Sequence, residues 1–482
     1  MRRSALRHGD EVDKLNVVPL SVVPTPAPSP KPIAVLGGGA TGLAAAYKLS
    51  QLGRRVRLFE ASSRLGGAVR SERSDGWLVE AGPNTILENH RDILTLITEL
   101  GLDAERVIAS PTAKNRYIVR EGKLHAVPTS PLALWRTPLF SGKTKRRLFT
   151  ELWAKPQERA NDVGLAEFVA AHFGQEIVDY ALNPFVSGVY AGDPAQLSTR
   201  HAFPQLLDGE QSHGSLIRGQ LAQAKARRER GEPKSRIISF RDGLQTLTDA
   251  LARRLPAGST ELNATVKNLN TSLGAPWRVT WTRDGVDHTE EFGAVVVALP
   301  ADALAKLTFG LDAHRPLTVL DEVVHPPVTS LFLGFRREQI QHPLDGFGAL
   351  MPTVEKRKLL GILFSSSLFP GRAPDGHVAL TAMVGGSVHP EMAQLPPDQL
   401  HAQVMAELRE LLGITGEPVF SRLNHWPRAV PQYNLGHDRY LDEIATREQM
   451  HGGLFIGGQV RNGVALPNCL RAGLTLGEKA AR

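Results

Sequence analysis

At 482 residues the chain is longer than one simple core supports, so two or three domains are expected, and 42% hydrophobic with 22% charged residues is an ordinary globular balance. The formal net charge of +7 suits an anionic ligand or an anionic membrane surface and is too diffuse to argue for nucleic acid. A single cysteine, Cys469, excludes internal disulfides, thiolate zinc sites and cysteine-ligated iron–sulfur clusters, and fits a reducing compartment.

The opening MRRSALRHGDEVDKL mixes acids with bases and lacks the apolar stretch of a signal peptide. Residues 1–31 end in a proline-rich run, VVPLSVVPTPAPSPKP at 17–32, which reads as a flexible or polyproline-like leader. Regular structure is expected to start at IAVL (33–36), a buried-strand run. A helix from Leu43 to Gly53 and a second strand, VRLFE at 56–60, follow, which makes a βαβ opening. Residues 131–235 change character: LAEFVAAHFGQEIVDYAL (165–182) has an amphipathic helical pattern, and AQAKARRERGEPKSR is a basic run. Strand-like runs return at RIISF (236–240), ATVKNLN (264–270), WRVTWTR (277–283) and AVVVALP (294–300), then across about 328–386. HAQVMAELRELLG reads as a helix, and the chain closes on FIGGQVRNGVALPNCLRAG (455–473) and a final helix. No run of about 20 apolar residues predicts a membrane-spanning helix, and the histidines have no metal-ligand spacing, so no metal is expected.

Gly37, Gly39 and Gly42 form GxGxxG between a strand and a helix. The first glycine permits the tight turn, the second a close approach to pyrophosphate, and the third the packing of helix on strand. Glu60 ends the next strand, where a carboxylate accepts the ribose hydroxyls and repels a 2′-phosphate, so NADP is disfavoured. GKT at 142–144 lacks the upstream glycine and the strand of a phosphate-binding P-loop. Glycines Gly457, Gly458 and Gly463 precede Pro467, which is well placed in the first turn of the last helix. That helix end is expected to point its positive dipole at the far end of the same long cofactor.

Arg64-x-Gly66-Gly67, directly after Glu60, resembles the stretch that continues round the pyrophosphate in large glutathione-reductase-like flavoproteins, and Val266 resembles the residue whose backbone meets their adenine. NPFVSGVYAGDPAQLSTRHAFP (183–204), GPNTILENHRD (82–92), NRYIVREGKLHAVPTSP (115–131), GFGALMP (346–352), LFSSSLFPGRAP (363–374) and GVALPNC (463–469) together are similar to the oxygen-dependent protoporphyrinogen/coproporphyrinogen oxidase family, collinearly from about residue 32 onward. The resemblance implies an α/β fold in three parts. A Rossmann-like FAD-binding domain of the glutathione-reductase type covers 32–110, 236–300 and 425–482. A mixed-sheet substrate domain covers 111–130 and 301–424, and a helical insert that contacts membrane covers 131–235.

It also implies six-electron oxidation of protoporphyrinogen IX or coproporphyrinogen III in heme biosynthesis, with non-covalent FAD, O2 as acceptor and hand-over of product to a chelatase. The expected location is the cytoplasm, peripherally on the inner face of the membrane. Arg116 resembles the propionate-binding arginine; Gly188 and Val189 let the ring approach; Gly348, Leu350, Leu363 and Met383 line or clamp the pocket. Ala40, Thr41, Ala61, Gly82, Pro83, Asn84, Ala298, Gly458, Val464, Ala465 and Leu466 are expected along the flavin cofactor. No acid–base dyad stands out, so catalysis is expected to rest on positioning. Two alternatives use the same scaffold, an FAD amine oxidase or a carotenoid desaturase; a non-catalytic flavin-binding protein is a third.

Overall fold

The computed structural model describes residues 31–156, 162–233, 235–272, 275–310 and 314–482, so nearly all of the expected leader lies outside the described residues. Ile33–Leu36 is a strand with every side chain buried. It is central in a five-stranded parallel sheet ordered Thr260–Glu261, Val56–Phe59, Ile33–Leu36, Ala294–Val297, Leu454–Ile456. Continuous apolar runs without alternation are what a parallel sheet covered on both faces requires. The helix after the first strand begins at Ala40, three residues before the expected Leu43, because the glycine turn leads straight into helical backbone; it ends at Gln51, with Gly53 in the left-handed region.

The last strand of this sheet, Leu454–Ile456, feeds the C-terminal helix Leu466–Ala481, which lies along Ala40–Gln51. The two backbones touch: a Cβ at Gly473 would stand 2.1 Å from the Thr41 carbonyl oxygen, and one at Gly477 2.8 Å from that of Ala45. Small residues one turn apart let the head and the tail of the chain meet.

A second sheet, Val286–Phe292, Trp277–Arg283, Thr265–Asn270 and Thr308–Phe309, packs Trp277, Trp281 and Phe292 against Phe59. Ala301, Leu304, Leu307, Leu317, Leu320 and Val323 share that core, so the described parts of 301–323, which the expected division gave to the second domain, pack with the parallel sheet. The third sheet is mixed and seven-stranded: Phe420–Trp426, Val328–Arg336, His377–Gly385, Leu359–Leu363, Gly346–Leu350, Asn115–Arg120, Lys123–Ala126. Its edge strand runs to Trp426, across the expected boundary at 424. One face, carrying Val119, Ala349, Ile362, Leu380 and Ala382, packs on Val404, Met405 and Leu408 of helix Pro397–Leu412.

Between residues 131 and 229 the described chain is helical, with its own small core of Leu165, Phe168, Val169, Val178, Val186, Leu197 and Leu216. The single amphipathic segment expected over 165–182 is broken. Leu165–Phe173 stops at Gly174 (φ +88°), and Val178–Leu182 is a π-helical turn before helix Asn183–Tyr190. Pro184 has no N–H to donate back into that turn, which explains the widening.

Candidate active site

The glycine turn is built as its sequence requires. Gly37 has φ +100°, and a Cβ there would lie 2.6 Å from the Ala298 carbonyl oxygen; one at Gly42 would lie 1.8 Å from that of Gly37. Gly39 differs: no atom lies within 4 Å of where its Cβ would be. Open space over the second glycine, at a helix start that no side chain caps, fits a pyrophosphate on the N–H groups of Ala40, Thr41 and Gly42. Glu60 accepts hydrogen bonds from Gly38 N (2.7 Å) and Ser62 N (2.8 Å), so its carboxylate is fixed at the end of the second strand beside Ala61. Ala264 N and Asn263 N donate to Glu60 O and Ser62 O, which brings the strand carrying Val266 alongside.

Gly66 and Gly67 both have positive φ, and a Cβ on Gly67 would be 3.0 Å from the Gly39 Cα, so the RxGG loop abuts the glycine turn. Arg64 spends its guanidinium on the carbonyls of Leu65, Val69 and Gly67; its contribution is the shape of that loop. A Cβ on Gly82 would be 2.0 Å from Ala68 O, which seats Gly82–Pro83–Asn84 directly on the loop. From the other end of the chain, Gly457 N bonds Val297 O, Gly458 has φ +116°, and Val464–Ala465 lead into the helix that starts at Leu466. The expected cofactor residues from both termini therefore gather around one parallel sheet.

The substrate residues share the seven-stranded sheet. Gly348 pairs with Arg116 on one side and Leu363 on the other; Leu350 pairs with Gly361, and Gly361 with Met383. By alternation these positions occupy the face opposite helix Pro397–Leu412. Leu350, Leu363 and Met383 are only half-buried there, an apolar surface without a full cover. Arg116 is exposed at its margin, its guanidinium 5.4 Å from the centre of the Phe347 ring. Helix Asn183–Tyr190 lies over the same face: a Cβ on Gly188 would be 2.4 Å from Leu350 Cδ2, whereas Val189 is exposed beside it.

The two sets meet. A cavity of about 10 Å³, room for one water, is lined by Asn84 from the loop side and by Leu363 and Thr381 from the sheet. Glu80 and Arg372 also line it, 3.7 Å apart and both almost fully buried. Burial pushes the Glu80 carboxyl up to about 7, against hydrogen bonds from Ser71 and Leu244 N and the charge of Arg372. Sequence reasoning missed this pair; a buried acid at the end of WLVE and an arginine after FPG carry no signal until the fold joins them. It also missed Asp162, His201 and Asp438, whose ligand atoms lie within 4.8 Å of one another; His201 Nε2 bonds Asp438 Oδ1 at 2.8 Å and ties the insert to helix Asp438–Met450.

Residues 40–476 match the family model for flavin-containing amine oxidoreductases. The chain is 34% identical over 475 residues to protoporphyrinogen oxidase 2 of Arabidopsis thaliana, covering 93% of each. It is 28% identical to coproporphyrinogen III oxidase of Bacillus subtilis (strain 168), covering 92% of this chain and 96% of that one. The crystal structure of a candidate protoporphyrinogen oxidase from Exiguobacterium sp. 255-15 superposes with a TM-score of 0.79 at 25% identity, covering 94% of this chain and 99% of that one. A turn open for a pyrophosphate, a half-covered apolar face and these relatives agree: the chain belongs to the flavin-containing amine oxidoreductase family, among the protoporphyrinogen and coproporphyrinogen III oxidases.

Proposed function

We propose that the protein oxidises a porphyrinogen to the porphyrin in heme biosynthesis, with FAD bound non-covalently and O2 as the final acceptor. The observation that carries this reading, in a chain of this family, is the half-buried apolar face of Leu350, Leu363 and Met383 with the Arg116 cation at its margin. Six hydrogens leave the substrate in three two-electron steps, and three O2 become three H2O2. The flavin, when bound, supplies a two-electron acceptor for hydrogen at carbon.

The chain's own residues bind and orient. Leu350, Leu363 and Met383 offer a flat apolar bed to a macrocycle, and the missing side chains of Gly188 and Gly348 leave room for its approach. Arg116 at the margin pairs with a propionate, a charge-assisted contact that fixes which edge of the ring faces the cofactor. Cys469 supports non-covalent binding: it is buried, and desolvation pushes its thiol up to about 11, so it stays protonated and a poor nucleophile.

No helix among the described residues is long and apolar enough to cross a membrane. Leu132, Trp135, Phe149 and Trp153 are each more than half exposed on the helical insert, beside exposed Arg136, Lys143 and Arg146. Aromatic side chains flanked by cations favour a peripheral seat on an anionic bilayer from the cytoplasmic side. Flavin-loaded protein is expected to convert protoporphyrinogen IX or coproporphyrinogen III to its fluorescent porphyrin, with kcat/KM on each measuring the preference for two or four propionates. Absence of turnover on both overturns the reading.

A further inference from the structure

The segment Gln432–His437 belongs to neither the glycine motifs nor the substrate sheet, yet it supports the flavin-facing loop from beneath. The Tyr433 hydroxyl accepts the Gly463 N–H at 2.8 Å and donates to the Gln459 carbonyl oxygen, so one oxygen spans the loop from end to end. The Tyr433 ring stacks on His437, with centroids 4.3 Å apart and 25° between planes. His437 Nε2 donates to Val460 O at 2.9 Å, inside the same loop. His437 is 1% exposed, and burial lowers its imidazole to about 4, so the ring is neutral with its proton on Nε2. The Cys469 thiol reaches the carbonyl of Gly463 from the other side, at 3.6 Å.

The strut is itself anchored. Ser198 N donates to Tyr433 O (2.8 Å), Leu435 N to Gln196 O (2.9 Å), and Gln432 Nε2 to Tyr190 O (2.8 Å). These partners lie in the insert, at and just beyond the helix whose Gly188 touches Leu350. Between glycines at φ +116° (Gly458) and +98° (Gly463) the segment makes one helical turn, Gln459–Asn462, and these bonds fix how that turn sits between its two glycine joints. That choice sets where the first turn of helix Leu466–Ala481 stands, and with it the positive end of its dipole.

We infer that Tyr433 is a positioning residue for the flavin: its hydroxyl, backed by His437, holds loop 458–463 so that the following helix start faces the cofactor. The inference rests on the flavin reading above. A helix N-terminus stabilises the more negative, reduced form, so its displacement weakens reduced flavin more than oxidised.

The test is Tyr433→Phe, which keeps the ring stack and removes only the hydroxyl. Dissociation constants for oxidised FAD and midpoint potentials of the bound flavin are measured without substrate, beside circular dichroism and a melting curve. The variant is expected to bind oxidised FAD about tenfold more weakly and reduced FAD a further tenfold, a midpoint shift of about −30 mV for two electrons. His437→Phe, which retains stacking and loses the bond to Val460, is expected to move the potential the same way by less. Wild-type affinity and potential in both variants, with only a lower melting temperature, would mean a purely structural role and overturn the inference. Wild-type protein that binds no flavin overturns the underlying reading as well.

Discussion

The sheet register sets Arg116 beside Gly348 on the apolar face, and its guanidinium rests on Phe347 without a carboxylate partner among the described contacts. Arg116→Ala is expected to raise KM on the order of tenfold to a hundredfold, the worth of one charge-assisted hydrogen bond, with kcat little changed. Steady-state kinetics at saturating flavin check this, and an unchanged KM contradicts the propionate role. The buried Glu80–Arg372 pair makes a different prediction. Because the folded-state pKa of Glu80 is raised to about 7, its neutral form is the favoured one; the associated stability is complete below the ordinary carboxylate range and is lost as pH rises through about 7. Arg372→Met strips the counter-ion from the anion, so it is expected to cost roughly 3–5 kcal/mol above pH 7 and clearly less near pH 5, where Glu80 carries a proton. Denaturant unfolding at the two pH values reads the difference. An equal loss at both would mean that Arg372 matters only through packing. The glycines of the turn were legible because each answers a backbone demand; this ion pair was not, because nothing local marks two charges that only tertiary folding brings together.

Among elements, the strands that carry long apolar runs were legible as strands, since fully buried parallel strands read as apolar without interruption. The mixed sheet was anticipated from the resemblance, and the alternation that packs one face on helix Pro397–Leu412 and leaves the other half-covered appears only with the register. Past the expected division at 301, residues 301–310 and 314–323 bury their leucines in the core shared with the parallel and second sheets, a packing choice with no composition shift to announce it. The close packing of Leu466–Ala481 along Ala40–Gln51 joins the two ends of the fold. Gly473→Ala sets a methyl 2.1 Å from the Thr41 carbonyl oxygen, so the helices must separate. A stability loss of about 1–3 kcal/mol and weaker flavin binding are expected together. Thermal unfolding with and without added FAD separates them; a variant of full stability and affinity would mean that the close approach is dispensable.

At the scale of the molecule, two arrangements matter: the two ends of the fold meet at one parallel sheet, where the proposed flavin site lies, and the insert turns an aromatic surface outward. The second predicts that flavin-loaded protein co-sediments with vesicles containing anionic lipid, and that replacing Trp135, Phe149 and Trp153 together by serine abolishes this while leaving kcat in detergent unchanged. Equal sedimentation of the triple variant would assign that surface another purpose. The first arrangement is the central claim. Its most direct measurement is anaerobic mixing of the flavin-loaded protein with protoporphyrinogen IX, followed by the flavin absorbance: the yellow band should bleach on mixing, and when O2 is admitted it should return while porphyrin accumulates over the further two-electron cycles. A flavin band that stays unchanged through mixing, in protein that holds its cofactor, would contradict the account.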